Sequence, residues 1–324
     1  MVIWSIRRLL QAILVVLAMT VIVFVALYAV GDPVKIMIDP DATQAEVARA
    51  ISYLGLDQPL WRQYLVFLKN ALHGDLGQSF VYATSAMNLI WQRLPATLEL
   101  ACFAVLLSII LGLPLGIYAG LRPDSVFSRV VMAGSILGFS LPSFWVGLMF
   151  IMLFAVQLGW LPSGGRGPTV TVLGMHWSFL TFEGLKYMLL PAFNLSLANI
   201  AMVMRLSRAG TREVLQMDYV KFARAKGLSP ARVVGVHVLK NMMIPVVTVV
   251  GLDLGSTIAF SVVTENVFAW PGTGKLIIES INVLDRPVIV AYLIFVVFLF
   301  VLINFLVDLA YVFLDPRVRQ ATSS

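Results

Sequence analysis

Charge is what this 324-residue chain has least of: 12% of its residues are Asp, Glu, Lys or Arg, while 60% are hydrophobic. Soluble domains carry roughly 25% charged residues, so a water-soluble fold is excluded. Cysteine is reduced to Cys102, which leaves neither a disulfide framework nor a cysteine metal site. Because Cys102 lies in an apolar run, it reads as a small buried residue. The three histidines, His73, His176 and His237, are scattered, and neither His-Glu-x-x-His nor Gly-x-Ser-x-Gly occurs. Protease and hydrolase chemistry therefore has no residues to run on, and the chain is read as a non-enzyme. Gly272-Thr273-Gly274-Lys275 imitates a phosphate-binding loop, but Ala269 holds the first glycine position and Leu276 replaces the hydroxyl residue that holds Mg²⁺. No strict repeat or low-complexity tract is present.

What is abundant is long apolar sequence. At 1.5 Å per residue, about 20 residues of helix cross a hydrocarbon core about 30 Å thick, and backbone amides in lipid must be satisfied within the segment. Six helical spans follow, at about 9–30, 98–120, 130–157, 187–204, 243–264 and 288–307. The first follows Arg7 and Arg8 but exceeds the ~7–15 residues of a signal h-region and lacks a cleavage pattern, so it is a retained span. The third run stays uncharged from Val130 to Gly165 and contains Pro142; a kinked helix followed by an interfacial turn at Trp160 absorbs the excess.

Short loops that stay inside retain Lys and Arg. With the N-terminus inside, the inner segments hold Arg7, Arg8, Arg122, Arg129, eight basic residues from Arg205 to Lys240, Arg317 and Arg319, which is 14 of the 23. Both termini are thus expected in the cytoplasm, and the net charge of +6 is topological and requires no nucleic acid. Residues 31–96 form an extracytoplasmic segment with two expected helices. In the second, Pro59 suits the first helical position, and Trp61, Tyr64, Leu65, Leu68 and Leu72 make a stripe before Gly74. That stripe either covers the bundle or docks an external partner.

The most polar stretch, 205–242, still carries helix punctuation. Span four is expected to end at Arg205. A helix over Arg212–Lys226 follows, its last turns loaded with Lys221, Arg224 and Lys226 against the negative end of the dipole. Gly227 fits the left-handed C′ position, Ser229 can cap the next helix, and Pro230 fits its first turn. The second helix is expected to reach about Asn241 before Pro245 enters span five. The product is a rigid cytoplasmic hairpin.

Tyr219-Val-Lys-Phe-Ala-Arg-Ala-Lys-Gly-Leu-Ser-Pro-Ala-Arg-Val, with His237-Val-Leu-Lys-Asn241 and Pro245, resembles the coupling loop of ABC importer permeases of the dipeptide, oligopeptide and nickel group. Gly55-Leu-Asp-Gln-Pro59, His73-Gly-Asp-Leu-Gly77, Leu94-Pro-Ala-Thr97, Leu141-Pro-Ser-Phe-Trp145 and Glu265-Asn-Val-Phe-Ala-Trp-Pro-Gly-Thr-Gly274 extend the resemblance over nearly the whole chain. It implies an all-α polytopic membrane protein of the type I importer permease fold, a single domain over 1–324, placed in a bacterial inner membrane. It also implies a second permease as partner in a heterodimer, two ATPase subunits and an outer solute-binding protein. ATP and Mg²⁺ would sit on the ATPases, with no cofactor on this chain. ATP closure would move the coupling helices as levers and rock the spans between inward- and outward-open states.

The residues this assigns to ATPase coupling are Lys221, Phe222, Ala223, Arg224, Ala225, Lys226, Gly227, Leu228, Ser229, Pro230, Arg232, His237 and Asn241. Where the wider class has Glu-Ala-Ala, this chain has Lys221-Phe222-Ala223, so helix shape and an apolar face replace the carboxylate.

Two acids belong to the expected pathway. Asp253 lies mid-span, where insertion costs about 2.5–3.5 kcal/mol, so it faces a cavity or another span. Glu265 sits at the outer end of span five, and the resemblance puts it near the external gate, beside Phe268 and Trp270 of an interfacial belt. The expected cargo is a short peptide or related small solute. An ion-driven secondary transporter would need more buried coupling residues and repeated broken helices. A docking protein without transport is the other alternative.

Overall fold

The computed structural model describes residues 2–29, 43–45, 48, 51, 57–79 and 81–314. The expected first helix of the 31–96 segment falls almost wholly outside them, as do Arg317 and Arg319.

The helices are α1 (Val2–Ala29), α2 (Leu60–Leu72), α3 (Ala86–Leu121), α4 (Val126–Ser140) and α5 (Ser143–Phe150), then α6 (Phe182–Leu215) and α7 (Asp218–Ala225). They continue with α8 (Pro230–Arg232), α9 (Leu239–Val267), α10 (Thr273–Asn282) and α11 (Arg286–Leu314). Strands β1 (Val170–Val172) and β2 (Met175–Trp177) form a small antiparallel hairpin in the loop before α6. Among the described residues, five helices, α1, α3, α6, α9 and α11, are long and apolar enough to cross a membrane.

The expected third span is not one kinked helix: α4 and α5 with its π-helical extension Ile151–Gln157 are long and apolar enough only as a pair, and they meet at 110°. Leu141 is extended (φ −82°, ψ 140°) because the ring of Pro142 disfavours helical backbone at the preceding residue. Pro142 has no N–H to return to α4, so the chain restarts as a second half-helix.

The chain divides into two compact units. The larger comprises Pro95–Lys275 and the chain from Ile303 onward; the smaller comprises Val2–Leu94 and Leu276–Leu302.

Within the larger unit, α3 and α6 approach at a stripe of glycines. A Cβ at Gly112, Gly116 or Gly120 would stand 2.9 Å from the Ile200 carbonyl oxygen, 2.4 Å from that of Met204, or 2.7 Å from Thr211 Cβ. Between membrane helices, where lipid removes the hydrophobic incentive to associate, such backbone proximity is a main source of cohesion. The same helix turns Cys102 to its exposed side, against the buried position expected for it. A single long buried partner face on α3 decides this, since only residues turned toward it are covered.

In the smaller unit, α2 lies on α1 through Tyr64, whose hydroxyl is 2.9 Å from Thr20 Oγ1, and through Tyr64 and Phe67 stacking around Phe24. The expected α2 stripe divides: Tyr64 and Leu68 are partly covered, whereas Trp61, Leu65 and Leu72 are exposed. Pro59 is the residue before the helix and not its first residue. Ser79 donates to the Asp285 carboxylate, and Trp91 meets Phe295 edge-on at 5.6 Å.

Candidate functional site

Two constructions in the larger unit carry the residues singled out by sequence. The first is the hairpin between α6 and α9. Charge does not end span four at Arg205: α6 continues to Leu215, since a helix leaving lipid loses nothing by carrying arginines into water. The expected Arg212–Lys226 helix is broken at Met217, which is extended (φ −69°, ψ 144°), and α7 restarts with Asp218 in its first turn, where an acid suits the positive dipole end. Lys221 Nζ hydrogen-bonds Asp218 at 2.9 Å, and that hydrogen bond with its charge holds the Asp218 carboxyl below the usual carboxylate range.

At the far end, Gly227 has φ +75°. The Leu228 N–H donates to the Ala223 carbonyl at 3.3 Å and the Gly227 N–H to that of Arg224 at 2.9 Å. This double closure is a Schellman cap, completed by Leu228 and Ala223 sharing one apolar cluster. Ser229 Oγ then accepts from the Arg232 N–H, with Pro230 in the first turn of α8. The second arm does not stop near Asn241. It passes from α8 through a π-helical stretch, Val233–Val238, straight into α9 and through Pro245.

The hairpin has an anchored side and a free side. Val220, Ala223, Val233 and Val238 are buried with Val214 and Met242. Lys221, Phe222, Arg224, Ala225, Lys226, Gly227, Ser229, Pro230 and Arg232 are exposed. Phe222 is 61% exposed, unusual for a large aromatic on so polar a segment, and Lys226 Nζ lies 4.6 Å over its ring. His237 is half-buried, and its carbonyl accepts from Asn241 Nδ2 at 2.7 Å, so this pair braces the π-helical stretch.

The second construction is a pocket of about 310 Å³ among α4, α5, α6 and α9, at the level of the Leu141–Pro142 break. Asp253 lines it, together with Asn194, Asn199, Thr257 and Phe260. Ser256 Oγ donates to Asp253 Oδ1 at 2.9 Å, Asn199 Nδ2 to Thr257 Oγ1 at 2.8 Å and Asn194 Nδ2 to Thr264 Oγ1 at 3.2 Å. The carboxylate expected mid-span therefore faces a cavity. Asn194 and Asn199 were not singled out by sequence, although amides in an apolar span are themselves the signal.

Glu265 is not brought to this pocket. It is fully buried, accepting from Thr97 Oγ1 at 2.8 Å, Ser261 Oγ at 3.0 Å and the Lys275 N–H at 3.0 Å. Gly272 and Gly274 make room for it: a Cβ on Gly272 would lie 2.4 Å from the carboxylate. The Gly-Thr-Gly-Lys segment that imitates a nucleotide loop thus wraps the chain's own carboxylate. Thr97 Oγ1 also accepts from the Thr273 N–H at 2.8 Å, and Trp270 Nε1 donates to the Ala96 carbonyl at 2.8 Å. Phe268 and Trp270 are buried, which corrects their assignment to an interfacial belt; they fill the space around this knot.

A further buried acid, Glu99, lies at the start of an apolar run and is not among the residues singled out by sequence. Arg166 Nε meets it at 2.6 Å, Ser178 donates to it from both N and Oγ, and Arg166 also donates to the His176 carbonyl. This ties the β1–β2 hairpin to α3. Removing one partner of a buried pair costs about 3–5 kcal/mol, because the other charge stays buried. Arg166→Leu is therefore expected to free the 158–181 loop to protease before the rest of the chain is cut, and Glu99→Gln with Arg166→Leu to recover much of the loss. Equal cleavage rates for wild type and Arg166→Leu would contradict this.

Among the described residues, no group of three or more His, Cys, Asp or Glu is arranged to hold a metal ion. Residues 112–320 match the family described as binding-protein-dependent transport system inner membrane component, and residues 1–101 match its N-terminal companion. The di/tripeptide transport system permease protein DppB of Pseudomonas aeruginosa is 40% identical over 90% of both chains. The oligopeptide transport system permease protein AppB of Bacillus subtilis is 38% identical over 98% of this chain and 99% of its own. An inward-facing structure of the MetNI methionine ABC transporter shares the fold, with a TM-score of 0.55 at 19% identity over 71% of this chain and 97% of that one. With the capped hairpin and these matches together, the chain belongs to the binding-protein-dependent inner-membrane components, the permeases of ABC importers, among the dipeptide and oligopeptide relatives.

Proposed function

We propose that this permease carries short peptides, as half of a translocation pathway completed by a second, non-identical permease, and that two ATPase subunits dock on the 205–242 hairpin. The hairpin and both termini face the cytoplasm in this reading, and a solute-binding protein delivers cargo from outside. The cargo class comes from the relatives, whose names specify di/tripeptide and oligopeptide transport.

The coupling role rests on one observation above others. The hairpin is closed by a Schellman cap at Gly227 and a serine cap at Ser229, and its inner face is fixed in the bundle through Val220, Ala223, Val233 and Val238. A load applied to the exposed Phe222 and Lys226 side reaches α9 without being absorbed by a slack loop. Phe222 supplies the apolar knob that the missing glutamate of the wider class does not, and Lys221, Arg224 and Lys226 surround it with positive charge. Asp253 and the pocket around it belong to the pathway, and Glu265 holds the end of span five.

The test is ATP-dependent accumulation of labelled dialanine by proteoliposomes containing the full complex and its binding protein. Gly227→Val should lower the rate about five- to thirtyfold, since an L-residue in the left-handed region costs about 1–2 kcal/mol and a β-branched one is worst placed there. Nothing lies within 4 Å of a Cβ built at Gly227, so the defect is conformational, and Gly227→Asn should transport at near the wild-type rate. Uptake driven by an ion gradient without ATP, or a Gly227→Val complex as fast as wild type at equal membrane levels, would refute the coupling role.

A further inference from the structure

The pocket at the span break has a one-sided chemistry. Among the described residues, its only ionisable lining residue is Asp253, and no Lys, Arg or His contributes to the wall. One carboxylate oxygen of Asp253 accepts from Ser256 on the next turn of the same helix, and no cation is paired with Asp253 among the described residues. Asn194 is 3% exposed and is fixed through its Nδ2 on Thr264, while its Oδ1 is buried with no hydrogen-bond partner. Buried acceptors are rarely left in that state, and each that is calls for an explanation. Asn199, on the same wall, gives one N–H of its Nδ2 to Thr257.

The wall therefore offers a carboxylate with no cation and an orphaned amide oxygen, and one N–H of each amide is already used. The group that suits these two acceptors brings donors and a positive charge. An ammonium has three donors and no acceptor. A carboxylate, by contrast, would meet Asp253 as a like charge. Leu195, Val146 and Phe260 supply apolar wall for what the ammonium is attached to. The volume, near the lower end of that of small-molecule sites, suits one end of a small cargo.

We propose that this pocket receives the protonated α-amino end of the cargo, with Asp253 as counter-ion and the Asn194 Oδ1 as second acceptor. The inference rests on the reading of the chain as a peptide permease and adds which end of the peptide this subunit recognises. A carboxylate kept only to tether Ser256 would not account for the unpartnered Asn194 oxygen on the same wall. The pocket belongs wholly to the larger unit, so the recognition is this chain's own.

Recognition by the permease is separated from selection by the binding protein by leaving the latter out. The assembled core of both permeases and both ATPases is placed in nanodiscs, and equilibrium binding of labelled dialanine is compared with that of N-acetyl-dialanine, which keeps the carboxylate and loses the ammonium. Wild type should bind dialanine at least about tenfold more tightly, the loss of one charge-assisted contact in the arithmetic of affinity. Asp253→Asn and Asn194→Leu should each weaken dialanine about tenfold and leave N-acetyl-dialanine unchanged, collapsing the preference toward one. Asp253→Glu, which restores the carboxylate, should keep a preference above about threefold.

Equal binding of the two probes by wild type, no binding of dialanine, or a preference undiminished in Asp253→Asn would each overturn the inference. Uptake by the complete complex is scored separately. Peptide uptake without this preference sinks the ammonium site alone, whereas failure to accumulate any peptide sinks the transport reading while the binding comparison still decides the site.

Discussion

Gly116→Val is expected to leave no folded permease in the membrane. The Cβ it adds would stand 2.4 Å from the Met204 carbonyl oxygen and 2.6 Å from Ser207 Cβ, both on α6. The nearer obstacle is backbone, so no rotamer change relieves it, and α3 and α6 must separate along the whole Gly112, Gly116 and Gly120 stripe. Overpacking an interior costs about 1–3 kcal/mol even where side chains can shift. Here the loss includes the close contacts along three turns that hold two membrane helices together. Gly116→Ala should show a reduced yield in the same direction, since the alanine methyl meets the same oxygen. Gly134→Ala, at a position with nothing within 4 Å, should behave as wild type. Size-exclusion profiles of fluorescently tagged protein from solubilised membranes read all three. A monodisperse Gly116→Val peak of wild-type height and thermal stability would show that α3 and α6 do not depend on this contact.

Glu265→Leu is expected to be nearly as damaging, for an electrostatic reason. The carboxylate gathers three donors from three places: Thr97 on α3, Ser261 one turn earlier on α9, and the Lys275 N–H in the first turn of α10. With a leucine there, all three bonds are lost in a buried place; Ser261 keeps the Ile258 carbonyl and Thr97 keeps Thr273 Oγ1, so the loss is about 1–3 kcal/mol for each bond not replaced, against a total stability of about 5–15 kcal/mol for a typical domain. Thermal unfolding of the purified complex should fall by at least about 8 °C. Gly272→Ala should reproduce the defect by the opposite route, by pushing a methyl to 2.4 Å from the carboxylate. Glu265→Gln, which keeps one acceptor oxygen but turns an amide toward a donor, should fall between. Unfolding of Glu265→Leu within about 2 °C of wild type would mean that the knot is not what holds this end of α9.

What could be read from the sequence was local. Gly227, Ser229 and Pro230 act on residues one to four positions away, so their caps are legible in one dimension, and the structure has each of them in place. The spans were legible for a similar reason, since lipid imposes their length and composition. Helix ends were not legible where they left the membrane: arginines at 205, 208 and 212 mark water, not the end of a helix, and α6 carries all three. Pro142 announced a bend, but its size depends on Leu141 turning fully extended, and neither half-helix is long enough to cross alone.

The polar knots were hidden by distance along the chain. Glu265 meets Thr97 from 168 residues away, and Glu99 meets Arg166 from 67. No spacing rule connects such partners. The carboxylates themselves in apolar runs were visible, and Asp253 was found that way. Glu99 was open to the same argument.

The π-helical stretch at Val233–Val238 leaves one residue of the chain geometrically surplus. The buried positions on this arm are Val233, Val238, Met242 and Val246, with steps of five, four and four. A wide turn absorbs the step of five and returns the following helix to the same face. Shortened by one residue at the exposed Gly235, where nothing lies within 4 Å, the arm would step by four throughout. Val233 and Val238 would still share one side as an ordinary α-helix. A deletion that would scramble the faces of an ordinary α-helical span is thus compatible with the pattern of this one, which makes the stretch a place where chain length can change by one while the hairpin tip and α9 keep their bearing.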